Sequence, residues 1–292
     1  MRIADSTRLG TVMRDIASVQ RQLFAASRQA STGSRLAGPS SDPVAAAQLV
    51  RIQGAIGETE SYSAVLRTVR GDLEMSEATL DDAGSVLGQI QDLALQGANG
   101  ALTASDRATL SAQVKQLKAE MLRLANQKGS IGYLFAGTSD QDAPFDAAGT
   151  FLGSPQDRVA KIGPGQSMVV SASGALAFTA LGGNDVFAEI DALTAALDSN
   201  NQAAVSASVK SMDACQRQIV AARADAGTKL ARMDTADVAF EQAKVALSSQ
   251  GHAVGDADPA ESYSRLTALQ AGLQTSISVA KTLLDTLSIQ QI

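Results

Sequence analysis

The chain has 292 residues, 45% of them hydrophobic but only 3% aromatic, no Trp, and a net charge of −6. So little aromatic volume favours narrow helix–helix seams of Ala, Leu, Val and Ile over a thick globular core, and the acidic balance speaks against nucleic-acid binding. A single cysteine, Cys215, excludes an internal disulfide. No apolar run approaches the ~20 residues that span a bilayer, so no membrane insertion is expected, and the first twenty residues lack the apolar core of a cleaved secretory signal.

From the start, Leu9, Val12, Ile16, Val19, Leu23, Ala26 and Ala30 step alternately by three and four, the heptad rhythm of a helix that packs on a helix. Arg14, Arg21, Arg28 and Arg35 recur every seven residues on another line. That stripe suits either a solvated face or acids on a neighbouring coil in an assembly, for which Asp258, Glu261 and Asp285 are candidates. The stretch STGSRLAGPSSDPVAAAQLV, residues 31–50, breaks the pattern. Gly33 is placed to end the first helix and Gly38-Pro39 to stop the chain from continuing it. Asp42 then offers a carboxylate to the first turn of a new helix, and Pro43 stands at its first position, where the missing N–H costs nothing.

A second helix is expected from about Pro43 to Ala98, roughly 80 Å long at ~1.5 Å per residue. Its seam runs Tyr62, Leu66, Val69, Leu73, Ser76, Leu80, Ala83, Leu87, Ile90, Ala94. GANGALTASDRATL reads as a loop with a helix start near Thr103 to Ser105, followed by a face of Leu110, Val114, Leu117, Met121 and Leu124. Between 128 and 183 lie ten of the 24 Gly, three of the six Pro and four of the seven Phe. There YLFAG, TFLG, DRVAKI, QSMVV and ALAFTA read as short strands with turns at Gly163-Pro164-Gly165 and Ser173-Gly174. Helix returns with Val186, Ile190, Leu193 and Leu197 on one face, then from about Gln202 to Ser249. GHAVGDADP interrupts it, and a last seam follows: Tyr263, Leu266, Gln270, Leu273, Ile277, Ala280, Leu284, Leu287.

The expected fold is mainly α: a long coiled-coil-like bundle of the N- and C-terminal segments with a small β-rich inserted domain. Its parts are an N-terminal assembly helix (1–40), a helical rod in two halves (41–127 and 184–252), an outer β-rich domain (128–183) and a C-terminal assembly helix (253–292). The heptad-bearing ends, Leu9, Val12, Ile16, Val19 and Leu23 with Leu266, Leu273, Ile277, Leu284 and Leu287, have nothing in the chain obliged to cover them fully. An isolated amphipathic helix is marginal in water, so burial against copies or relatives is the expected use of these surfaces.

Candidate chemistry is thin. His252 reads as an exposed loop residue and Cys215 as a buried structural thiol. One His and one Cys cannot supply the usual Cys/His zinc ligands, Asp81-Asp82 reads as solvated helix surface, and no phosphate-binding glycine loop is present. No catalytic residue, metal or cofactor is expected.

Three stretches resemble the flagellin superfamily, and its hook–filament junction members more than its filament members. STGSRLAGPSSDPVAAA is similar to the family's N-terminal signature at Ser31, Thr32, Gly33, Arg35, Pro39, Ser40, Asp42, Pro43, Ala45 and Ala46. GANGALTASDRATL matches a second segment at Asn99, Gly100, Leu102, Asp106 and Arg107, and GYLFAGTSDQDAPF a third at Tyr133, Phe135, Gly137, Pro144 and Phe145. The resemblance implies a structural subunit of the bacterial flagellum, exported without a cleaved signal and polymerising through its terminal helices outside the cell. Implied partners are hook-associated protein 1, flagellin, further copies of the chain and an export chaperone. Gly33, Arg35, Pro39, Asp42 and Pro43 would then form an elbow between inner and outer helical layers. The competing readings are a filament subunit and a cytoplasmic coiled-coil adaptor.

Overall fold

The computed structural model describes the backbone of residues 2–289 and the side chains of residues 10–284. Within that range lie seven α-helices and one two-stranded sheet, in the order α1 (Arg2–Thr32), α2 (Pro43–Gly97), α3 (Ala104–Ala125), β1 (Val159–Gly163), β2 (Gln166–Val169), α4 (Gly174–Phe178), α5 (Val186–Asp198), α6 (Gln202–Gly255) and α7 (Pro259–Ile289). Helix accounts for 73% of the chain, so the mainly α expectation holds. The chain divides into two compact units, Met1–Glu58 with Ala243–Ile292, and Thr59–Gln242.

In the unit from Thr59 to Gln242, the α2 line from Leu66 to Ala94 is buried at every predicted position. It shares one core with Val114, Met121 and Leu124 of α3, Ile190, Leu193 and Leu197 of α5, and Met212, Cys215 and Ile219 of α6. Five phenylalanines complete that core. Phe145 touches Phe151, Phe178 and Phe187 at centroid distances of 5.2 to 5.6 Å, and Phe135 meets Phe178 edge-on at 5.4 Å. Such offset contacts add to the area they bury.

The inserted region holds the sheet, but three of its five expected strands are corrected here. Only DRVAKI and QSMVV form strands, an antiparallel pair joined at Gly163 to Gln166. YLFAG and TFLG run as turns with isolated bridges, Lys128 to Tyr133 and Phe145 to Phe151, and ALAFTA begins as α4. Side chains hold the irregular backbone instead of a ladder. Asn126 exchanges two 3.0 Å hydrogen bonds with the Phe145 backbone. The buried Asp72 accepts from Ser130 N–H at 2.7 Å and Ser130 O–H at 2.6 Å. Ser173 accepts the Leu176 N–H at 3.3 Å, which makes the expected turn a helix cap. Gly137, at φ +62°, sits so close to the Ser154 carbonyl that no side chain fits.

The loop between α2 and α3 is stapled by one buried cation. Arg107 donates to the carbonyls of Gly97 at 2.9 Å, Leu102 at 3.1 Å and Asn99 at 2.7 Å, and to Asn200 Oδ1. Gln202 donates to Ala98 O at 2.9 Å. The carbonyls that a helix C-terminus leaves unpaired therefore find partners from other elements. At the start of α3, Thr103 and Asp106 form a reciprocal capping box.

Candidate assembly surface: the terminal helices and their clasp

In the unit of residues 1–58 and 243–292, α1 packs along α7. The α1 line falls where its spacing predicts: Val12, Ile16, Val19 and Leu23 are half-buried and Ala26 is buried. On α7 the inward line is Ser262, Leu266, Leu269, Leu273, Ser276, Ala280 and Leu283, again stepping by four and three. It shares Leu266, Leu273 and Ala280 with the expected seam but is rotated by one residue elsewhere. Tyr263, Ile277 and Leu284 consequently stand 60%, 51% and 49% exposed. The side chains of Leu9, Asp285 and Leu287 lie outside the described residues.

Helix α1 ends because Gly33 takes φ +68°, a conformation that favours glycine, while Thr32 Oγ1 donates back to Arg28 O at 2.8 Å. Gly38 to Ser41 closes a turn with Pro39 second, the Ser41 N–H meeting Gly38 O at 3.0 Å. Asp42 Oδ1 accepts the Ala45 N–H at 3.0 Å, and Pro43 opens α2. A second Asp-Pro does the same for α7: Asp258 Oδ1 accepts from Ala260 N–H at 2.7 Å, and Pro259 is the first helical residue. The sequence carried that signal in the same two residues, yet read only as an interruption.

The two breaks are clasped. Arg35 N–H donates to Gly255 O and Ala257 N–H to Gly33 O, both at 2.8 Å, around an antiparallel Ser34 to Asp256 bridge. The Arg35 side chain donates to Val254 O from Nε at 3.1 Å and from Nη2 at 2.9 Å, with Asp42 Oδ2 at 3.5 Å from Nη2. A guanidinium on the Val254 carbonyl, in the last turn of α6, also meets the negative end of the helix dipole. Arg35 therefore leaves the expected stripe, because α1 ends before it. Arg14 bonds within its own helix, to Gly10 O at 3.1 Å. Among the described residues no ion pair joins the stripe to Asp258 or Glu261.

His252 is helical rather than in a loop, since α6 runs on to Gly255; it is exposed, with Nδ1 2.7 Å from Asp256 Oδ2. Cys215 is fully buried, and burial pushes its thiol up to about 12, far from a nucleophile's range. Among the described residues no group of three His, Cys, Asp or Glu could hold a metal, and no helix is long and apolar enough to cross a membrane.

Residues 9–140 match the bacterial flagellin N-terminal helical region. Flagellar hook-associated protein 3 of Salmonella typhimurium is 26% identical over 300 residues, which cover 94% of this chain and 95% of that protein. A flagellar hook-associated protein from Vibrio parahaemolyticus shares the fold with a TM-score of 0.67 at 24% identity, over 73% of this chain and 99% of that one. The flagellar junction protein from Legionella pneumophila does so with a TM-score of 0.56 at 16% identity, over 70% and 100%. Together with a helical fold built on capped heptad seams, these matches make the chain similar to flagellin-type proteins in its N-terminal region and to a structural protein of the bacterial flagellum over nearly its whole length. Among those proteins the chain is similar to flagellar hook-associated protein 3, in Escherichia coli at 26% identity over 90% of this chain as well as in Salmonella typhimurium.

Proposed function

We propose that this chain is the subunit joining hook to filament, and that it assembles by burying the free faces of α1 and α7 against neighbouring chains. The observation that carries this is the half-covered seam: α1 and α7 shelter each other on one side only, and Tyr263, Ile277 and Leu284 remain exposed on α7. Two helices do not close a core; three or four do. The likeness to hook-associated protein 3 over nearly the whole chain supports the junction position.

On this reading the segments 1–40 and 253–292 are the assembly helices: the exposed Ile277 and Leu284 meet neighbouring subunits directly, the half-buried Val12, Ile16, Val19, Leu23, Leu266 and Leu273 do so by the edges that the α1–α7 pair leaves uncovered, and Leu9 and Leu287 extend the two lines. The rod halves 41–127 and 184–252 carry the outer region 128–183, and Gly33, Arg35, Pro39, Asp42 and Pro43 set the elbow. The chain leaves the cell through the flagellar export apparatus with a chaperone, then contacts hook-associated protein 1 on one side, flagellin on the other, and its own copies around the ring.

Deleting the gene in its host tests the role. Cells should keep hooks, lose filaments and shed flagellin into the medium; intact filaments would overturn the reading, and long filaments grown from seeds of the purified chain would assign it to the filament instead. Amide exchange tests the mechanism: α1 and α7 should exchange fast in the isolated chain and slowly once assembled.

A further inference from the structure

The seam between α1 and α7 does little to fix its own axial register. Its inward lines include Val12, Ile16, Val19, Leu23 and Ala26 on one helix and Ser262, Leu266, Leu269, Leu273, Ser276 and Ala280 on the other. Both lines repeat every seven residues. A slide of α1 along α7 by one heptad, about 10 Å, therefore sets apolar against apolar again. Coiled coils settle such a choice with a polar residue paired inside the seam. Here Ser262 is the fully sequestered polar side chain of the line, and its Oγ has no hydrogen-bond partner.

The connection to α2 does not prevent a slide. Helix α1 ends at Thr32 and α2 begins at Pro43, and the ten residues between them can span about 30 Å when extended. Helix α7 is tied far more closely, with only residues 256–258 between it and α6. What holds α1 lengthwise is the clasp: Arg35 N–H on Gly255 O and Ala257 N–H on Gly33 O, both at 2.8 Å, and the two bonds from the Arg35 side chain to Val254 O. Hydrogen bonds are directional and short, so a one-heptad slide breaks all four, whereas the seam tolerates it.

We infer that the clasp is the pin that sets the axial register of α1 on α7, and that Arg35 is the positioning residue that closes it. The register matters because the exposed apolar side chains are divided between the two helices. Met13 and Phe24 of α1 are 59% and 74% exposed, and Tyr263, Ile277 and Leu284 stand out on α7. A neighbouring chain that touches both helices meets one pattern in the pinned pair and another after a slide. The inference rests on the proposed use of α1 and α7 as assembly helices and adds what keeps their combined surface constant.

The first test reads the register in the isolated chain. Cys215 is fully buried, so spin labels go to the exposed positions of Gln22→Cys in α1 and Ser278→Cys in α7. The labelled chain should give one separation, and adding Arg35→Ala should produce a second that differs by several ångströms. An unchanged single separation would overturn the inference. The second test reads assembly, with purified chain supplied to cells of a host lacking the gene and filaments counted. Arg35→Ala should lower the count about tenfold, as for one lost hydrogen bond to a charged group. Ser34 and Asp256 face each other in an antiparallel bridge, flanked rather than joined by the two backbone bonds. Cα atoms of such a pair lie about 4.5 Å apart, within reach of a disulfide. Adding Ser34→Cys and Asp256→Cys to Arg35→Ala should therefore restore the count when the chain is oxidised beforehand, and not when it is reduced. Equal counts from Arg35→Ala and the native chain, or no recovery with the disulfide formed, would overturn the pin and leave the junction reading intact. Failure of the native chain to restore filaments would count against the junction reading instead, while the label separation still decides the pin.

Discussion

In residues 59–242 the heptad line of α2, from Leu66 to Ala94, is covered along its whole length by α3, α5, α6 and a cluster of five phenylalanines. In the terminal unit, α1 and α7 carry the same rhythm but cover each other on one side only. Equal periodicity has led to unequal closure. The difference lies in what else each unit supplies: bulky aromatics and buried polar staples such as Arg107, Gln218 and Asp72 in one, a single helix pair and a backbone clasp in the other. A heptad pattern shows that a helix has a partner, and only the surrounding volume shows whether that partner lies in the same chain.

That contrast can be broken or sharpened by substitution. The largest effect should come from Phe178→Ala, which empties the centre of the aromatic cluster and should cost about 3–5 kcal/mol in urea unfolding of the isolated chain. Arg107→Ala should cost about 3 kcal/mol by the same measurement, since it leaves the carbonyls at the end of α2 without donors. Asp106→Asn should act through pH. Hydrogen bonds from the Thr103 hydroxyl and backbone N–H hold the Asp106 carboxyl below its ordinary value. A depressed pKa stabilises the fold above the unfolded value and loses that contribution as pH falls through the folded one. The variant should therefore be weaker than the native chain at neutral pH and equal to it in strong acid. Ile277→Ser should change the unfolding of the isolated chain by less than about 0.5 kcal/mol, yet sharply reduce incorporation into flagella, scored by filament counts. A large loss of stability from Ile277→Ser would mean that the terminal unit is already closed.

Much of the helical architecture was legible in residue spacing. The seams of α2, α3 and α5, the end of α1 at Gly33 and the start of α2 at Asp42-Pro43 all follow from apolar period and capping chemistry. The α7 register was misread by one position because Tyr263 and Ile277 outweigh Ser262 and Ser276 in apolar content, although the serines face inward. Spacing cannot say which of two adjacent apolar lines a single partner will take. Three of the five strands read in 128–183, YLFAG, TFLG and ALAFTA, failed for a different reason: aromatic residues bounded by glycines look like strands, but here they feed a buried cluster while Asn126 and Asp72 satisfy the backbone. The clasp from Gly33 to Ala257 joins positions more than two hundred residues apart, and no local pattern carries that pairing. The resemblance to flagellin-type sequences did point to Arg35, Asp42 and Arg107, though not to what each of them holds.

The restart of α7 at Asp258-Pro259 has an evolutionary consequence. A helix that begins from its own cap inherits no rotational phase from the helix before it. Insertions or losses among residues 59–242 therefore need not turn the α7 seam out of alignment with α1. The length of the middle of the protein is thereby uncoupled from the rotational setting of the α1 and α7 pair.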